Sequence, residues 1–288
     1  GSLAGGLSFG LMPKIAAHYS AGHVSLLYAI AWTPWLFLAG LKDQRGTMTG
    51  LVAAAAFLAD PRWSVYLGLF WLGFDIAHRH KRGLAEATFF YFRSAGLALL
   101  LSSPLILPLW EFSKMSTRSI METPDLTDLA LPPAQLMGLI LPGSGGTIEW
   151  YIYAGGAVLG LSIIHLTLGE LRKKNLYWII WILLSWFFSI ALGFLKIPGL
   201  KNVPVFSMLR VPARFTIIGG IALVVISAKT IDYWISSPYR KKQVKNSLVG
   251  LIAFSVLMGI GVTYLMEGVS AFALWGFFFL ALSTSVLL

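Results

Sequence analysis

The sequence contains no cysteine, which rules out disulfides and thiolate metal sites. Charge is also scarce: Asp, Glu, Lys and Arg make up 12% of the 288 residues, where a soluble domain of this length carries about 25%. Acidic side chains are the rarer sign, 12 against 22 Lys and Arg, for a net charge of +10. No ten-residue stretches of alternating polarity point to an outer-membrane barrel, and no soluble domain, low-complexity tract or internal repeat is visible. Apolar residues fill the space left: 57% are hydrophobic and the mean hydropathy is +0.76. That composition describes a polytopic membrane protein, and helices are the form that satisfies a lipid-embedded backbone.

The apolar stretches run over 24–41, 46–59, 63–77, 88–110, 151–169, 176–195, 213–231, 247–266 and 271–288, with an incomplete one at 1–12. Most approach the ~20 residues that cross the hydrocarbon, so the expected fold is an all-α bundle of about nine spans plus a partial first one. The whole of 1–288 reads as one transmembrane domain, with its polar material in the loops 111–150 and 196–212. Because the sequence opens and closes inside apolar runs, we expect a fragment of a longer chain.

Lys and Arg set the orientation. Alternate connections hold Lys42, Arg45, Arg79, Lys81, Arg82, Arg172, Lys173, Lys174, Arg240, Lys241, Lys242 and Lys245, which the positive-inside rule places in the cytoplasm. The other set, Lys14, Arg62, Lys114, Arg118, Lys196, Lys201, Arg210 and Arg214, is diluted over longer loops and faces outward. The short pair 46–59 and 63–77, flanking Asp60-Pro61-Arg62, reads as two crossings or as a re-entrant hairpin. Both readings leave the side of every later residue unchanged. The net positive charge is a topology signal with some affinity for anionic lipid, and no nucleic-acid partner is expected.

Function is expected on the outward side. Residues 206–215 read Phe206-Ser-Met-Leu-Arg-Val-Pro-Ala-Arg-Phe215, placing Arg210 and Arg214 four apart where a polar loop becomes an apolar span. Pro212 suits the first turn of a helix, whose unpaired N–H groups add positive polarity beside the two guanidiniums. The pair fits a phosphate clamp, and it also fits snorkelling to outer-leaflet head groups. Glu111, Lys114 and Arg118 follow Trp110 at intervals of three and four, so a helix running past the membrane would align them. They fit an internal ion-pair set, or a carboxylate serving as general base beside cationic phosphate ligands.

His18 and His23 lie in the first outer loop and fit a divalent metal, a sugar hydroxyl or no ligand at all; their spacing is a weak metal signature. Asp60 with Arg62 fits a turn-capping ion pair or a polar pocket. Pro132-Pro133 followed by Ala134–Leu141 predicts an interfacial helix before the Gly-rich turn at 142–146. Near the inner surface, Asp75 with Arg79 and Lys229 with Asp232 read as paired snorkelling charges, and His165 as helix packing.

The phrases Ala17-His-Tyr-Ser-Ala-Gly-His23, Trp32-Thr-Pro-Trp35, Ser103-Pro-Leu-Ile-Leu-Pro-Leu-Trp-Glu111, Ser116-Thr-Arg118, Leu131-Pro-Pro133 and above all Arg210-Val-Pro-Ala-Arg-Phe215 resemble the bacterial YfhO-type membrane proteins of the GT-C glycosyltransferase superfamily. The likeness runs from about residue 10 to about residue 232. It implies an enzyme that transfers sugar from a polyprenyl-phosphate carrier to a cell-envelope glycan, lipid or protein acceptor on the extracytoplasmic face. By matching positions, Arg210 and Arg214 would serve the carrier phosphate, with Arg118, His18, His23 and Glu111 in the same cavity. The superfamily places an acidic catalytic residue in the first outer loop, upstream of where this sequence begins, which leaves Glu111 and Asp60 as the substitutes. The rival readings are a transporter or flippase of a lipid-linked or anionic substrate, and a non-catalytic assembly partner.

Overall fold

The computed structural model describes residues 1–79, 83–115, 129–140, 146–194, 211–236 and 238–265. Among these every regular element is helical. Three helical stretches, Val24–Lys42, Ala85–Phe112 and Pro212–Ile235, are long and apolar enough to cross a membrane. The apolar run at 271–288 lies outside the described residues. The chain divides into two compact units: Gly1–Ala17, Ala130–Ala191 and Ala213–Leu288 form the first, His18–Leu129 and Leu192–Pro212 the second.

The first unit is built on α1 (Ser2–Gly10), the start of α2 (Pro13–Ser20), α8 (Gly156–Thr167), α9 (Gly169–Lys174), α10 (Leu176–Phe194), α11 (Phe215–Ile235) and α12 (Pro238–Leu265). Its central element is α11, buried along most of its length. Small residues let neighbours come close to it. A Cβ at Gly219 would collide with the Ser185 hydroxyl of α10, and one at Gly220 would lie 2.7 Å from the Met12 sulfur. Polar side chains join α8 to α11: Ser162 Oγ donates to the Leu223 carbonyl at 3.1 Å, Thr230 Oγ1 to the Leu161 carbonyl at 3.3 Å, and His165 Nδ1 lies 3.0 Å from Thr230 Oγ1. The region around α9 closes with Leu159, Ile164, Leu168, Leu171, Tyr233 and Val244 packed together.

Two expected elements of this unit differ in form. The apolar run at 151–169 becomes helical only at Gly156, because Gly155 takes φ +103° and the Gly156 N–H bonds the Tyr153 hydroxyl at 2.9 Å. The expected helix at 134–141 is a 3₁₀ segment, Pro133–Leu139. Residue 141 is outside the described set.

The second unit holds α3 (Val24–Ala31), α4 (Thr33–Lys42), α5 (Thr47–Ala59), α6 (Pro61–Arg79) and α7 (Leu84–Met115). The run 24–41 is two helices meeting at Trp32, since Pro34 lacks the N–H that would continue the ladder. Asp43 then starts α5: Oδ2 accepts the Thr49 N–H at 3.0 Å, and Oδ1 accepts those of Arg45 and Gly46 at 2.9 and 3.0 Å. Gly46 is required there, with φ +81° and a would-be Cβ 2.6 Å from the Phe90 carbonyl of α7. With 13 residues, α5 is about 20 Å long, short of a hydrocarbon core of about 30 Å. An aromatic cluster of Phe37, Phe70 and Phe74 seals α4 against α6, with ring centroids 4.7–4.8 Å apart.

Candidate functional site

A buried charge cluster lies in the first unit where α11 begins. Arg214 is the last residue of a short 3₁₀ turn, Pro212–Arg214, that leads into α11. Its Nη2 donates to Glu149 Oε1 at 2.8 Å and its Nε to the same oxygen at 3.2 Å. Both side chains are 8% exposed. Glu149 comes from a 3₁₀ turn, Ile148–Trp150, in the connection before α8. Its main-chain carbonyl accepts a 2.6 Å hydrogen bond from Lys14 Nζ, and Lys14 is only 2% exposed. Among the described residues of this unit, Lys14, Glu149 and Arg214 thus share one buried place.

The Lys14 ammonium is pushed down to about 7 by burial, partly offset by the Glu149 carboxylate and reinforced by the Arg214 guanidinium. The folded value lies below the ordinary 10.5, so protonated Lys14 weighs against the folded state below about pH 7. That penalty is relieved as pH rises from 7 to 10.5.

The expected residues of the second unit are placed differently. Asp60 ends α5 and caps α6, with Pro61 in the first helical position. Its Oδ1 accepts the Arg62 and Trp63 N–H groups at 2.9 and 3.3 Å; the Arg62 guanidinium reaches both carboxylate oxygens at 3.1 and 2.8 Å, and Ser25 Oγ donates at 3.3 Å. Burial alone would raise this carboxyl, but the hydrogen bonds and charge of Arg62 with the Trp63 N–H outweigh it and hold it below the ordinary 3.8. A carboxylate so fully engaged is a helix cap and a poor proton acceptor.

Asp60→Ala is expected to cost about 1–2 kcal/mol through the lost cap. Because the folded value is depressed, the contribution is complete above pH 3.8 and disappears as pH falls through the lower folded value. Thermal unfolding in detergent at pH 7 and at pH 3 checks both statements: the gap between wild type and variant should narrow in acid.

His18 and His23 face each other, Nδ1 to Nδ1 at 2.9 Å with ring centroids 5.1 Å apart. The His23 N–H also bonds the His18 carbonyl at 3.0 Å, closing the turn through Gly22. Glu111 is exposed near the end of α7, which continues to Met115, the condition under which Glu111 and Lys114 share a face. Lys114 sits over the Trp110 ring, 5.5 Å from its centroid. Arg118 and Arg210 lie outside the described residues.

A cavity of about 350 Å³ between α4, α5, α6 and α7 has no charged residue in its lining. Thr49 Oγ1 and Trp71 Nε1 are buried there without a hydrogen-bond partner among the described residues. It offers no acid or base, so the chemistry-bearing groups lie elsewhere. Comparison with protein-family models, curated proteins and solved structures gives no match.

Sequence reasoning had singled out Arg214 and missed its companions. Glu149 was one acidic residue among several in a long loop, and Lys14 one outward cation among eight. The signal for Lys14 was the one used for Arg210 and Arg214: positive charge against the orientation rule, beside a proline at a helix start.

Proposed function

We propose that this chain is a membrane glycosyltransferase of the GT-C type, related to the YfhO-type proteins, that moves a sugar from a polyprenyl-phosphate carrier to a cell-envelope acceptor on the extracytoplasmic face. The observation that supports this best is the buried cluster of Lys14, Glu149 and Arg214 at the head of α11, of which Arg214 belongs to the Arg-Val-Pro-Ala-Arg-Phe phrase that carries the family likeness. In the reaction the acceptor oxygen bonds to the anomeric carbon, and a carboxylate takes the acceptor proton. The bond from the anomeric carbon to the phosphate oxygen breaks, and its electron pair stays with the departing carrier.

Negative charge grows on that phosphate, where fixed cations in a water-poor place stabilise the transition state most. Arg214 and Arg210 are the cations for this role. Of the two substitute carboxylates, exposed Glu111 is the freer to accept a proton; Asp60 is committed to capping α6. A divalent metal, if the reaction uses one, would find imidazole ligands at His18 and His23 in the second unit. The test is transfer of labelled sugar from polyprenyl-phosphate donors to envelope acceptors by the purified protein in lipid nanodiscs. Absence of transfer from every donor offered, by protein shown to be folded, would overturn the reading.

A further inference from the structure

We propose that Lys14, together with Arg214, forms a phosphate-binding site, in which Lys14 is a direct ligand of the anion and not merely a structural ion. The identification of that phosphate with the carrier rests on the function proposed above.

The arrangement is incomplete as a structural ion network. Among the described residues of this unit, Lys14 and Arg214 share one buried carboxylate, so that the basic groups outnumber the acidic one in a place with little water. Glu149 neutralises Arg214 through two guanidinium nitrogens, whereas the hydrogen bond of Lys14 among the described residues goes to the Glu149 main-chain oxygen, a neutral acceptor. Donors remain unspent: Lys14 Nζ has one hydrogen bond for its three N–H groups, and Arg214 Nη1 has none among the described residues. A lysine kept solely for stability would be worse than a methionine here, because burial of its ammonium outweighs the offset from the Glu149 carboxylate, which it shares with Arg214. What the cluster lacks is one anion with several acceptor oxygens. A phosphate monoester or diester supplies that, taking a fork from Arg214 and a point charge from Lys14.

The connections that carry the cluster fit such a ligand. Lys14 enters on the first turn of α2 behind Pro13, Arg214 on the turn entering α11, and Glu149 on the turn preceding α8. Lys14 and Glu149 sit on opening turns outside the candidate spans, and Arg214 sits at the very start of the Pro212–Ile235 stretch, at the end of an apolar segment where a lipid phosphate lies.

The experiment measures binding of inorganic phosphate and of farnesyl monophosphate to the full chain in nanodiscs, for wild type and for K14M, at constant ionic strength. Wild type is expected to bind farnesyl monophosphate, with K14M weakened about tenfold or more. Tighter binding of farnesyl monophosphate than of inorganic phosphate assigns the site to a lipid head group. Equal affinity assigns it to phosphate alone, and both results support the two-cation site. Without phosphate, K14M should unfold at the same temperature as wild type or higher, since a desolvated ammonium has been removed. A fall in that temperature, a failure to fold, or undiminished phosphate binding by K14M would each overturn the role of Lys14, as would a wild type that binds neither phosphate. The two readings fail separately. Sugar transfer by K14M with an unchanged KM for the carrier removes Lys14 and leaves the transferase. Phosphate binding that depends on Lys14, in a chain that transfers no sugar, removes the transferase and leaves the site.

Discussion

Glu149→Gln is expected to destabilise the protein by about 3–5 kcal/mol, the range for breaking a buried ion pair from one side. Glutamine has nearly the shape of glutamate and keeps an acceptor for the guanidinium, so packing is preserved. The charge is not. Arg214 would remain a buried cation without its carboxylate, and Lys14, still held by the main-chain carbonyl, would lose the charge that favours its protonated form. For a chain of this size the midpoint of thermal unfolding should fall by on the order of 10 °C. Adding Arg214→Gln should restore part of the loss, giving a coupling of up to about 3 kcal/mol in a double-mutant cycle. A midpoint that does not move in the single variant would mean that water screens the pair, against the 8% exposure of both side chains.

The second large effect concerns activity. Arg210→Ala and Arg214→Ala are each expected to reduce sugar transfer by about 100-fold or more, the usual loss when a donor aimed at developing negative charge is removed from an active site. Arg214→Ala strikes twice on the proposed function, because it also leaves the buried Glu149 carboxylate without its guanidinium. Arg214→Lys should rescue little: an ammonium is a point charge and cannot hold the carboxylate with two nitrogens while offering a third to an oxyanion. The measurement is kcat with labelled donor, alongside a gel-filtration profile showing that each variant stays folded. Wild-type rates in the double alanine variant would refute the assignment.

How much of this was legible beforehand depends on distance along the chain. Local signals read well. Asp60-Pro61-Arg62 marked the junction of two apolar runs, where α5 gives way to α6. The break at Trp32 was also written locally, in Thr33-Pro34, but the unbroken hydropathy of 24–41 hid it. The cluster at the head of α11 was legible by one member in three. Glu149 and Lys14 are 135 residues apart and Glu149 and Arg214 65, so no periodicity or motif spans them. Only packing brings such groups together. The reading of Asp60 as a base and as a cap could not be separated from sequence, since both want an acid at a turn; five hydrogen bonds from Ser25, Arg62 and Trp63 favour the cap.

The contacts from Ser162, His165 and Thr230 across α8 and α11 bear on how this chain assembles once inserted. Oil offers one greasy helix no reason to prefer another over the surrounding acyl tails, so recognition falls to the few hydroxyl and imidazole groups that hydrocarbon cannot solvate. Those three side chains therefore act as an address label, telling each of the two segments which neighbour to find in a crowd of equally oily ones.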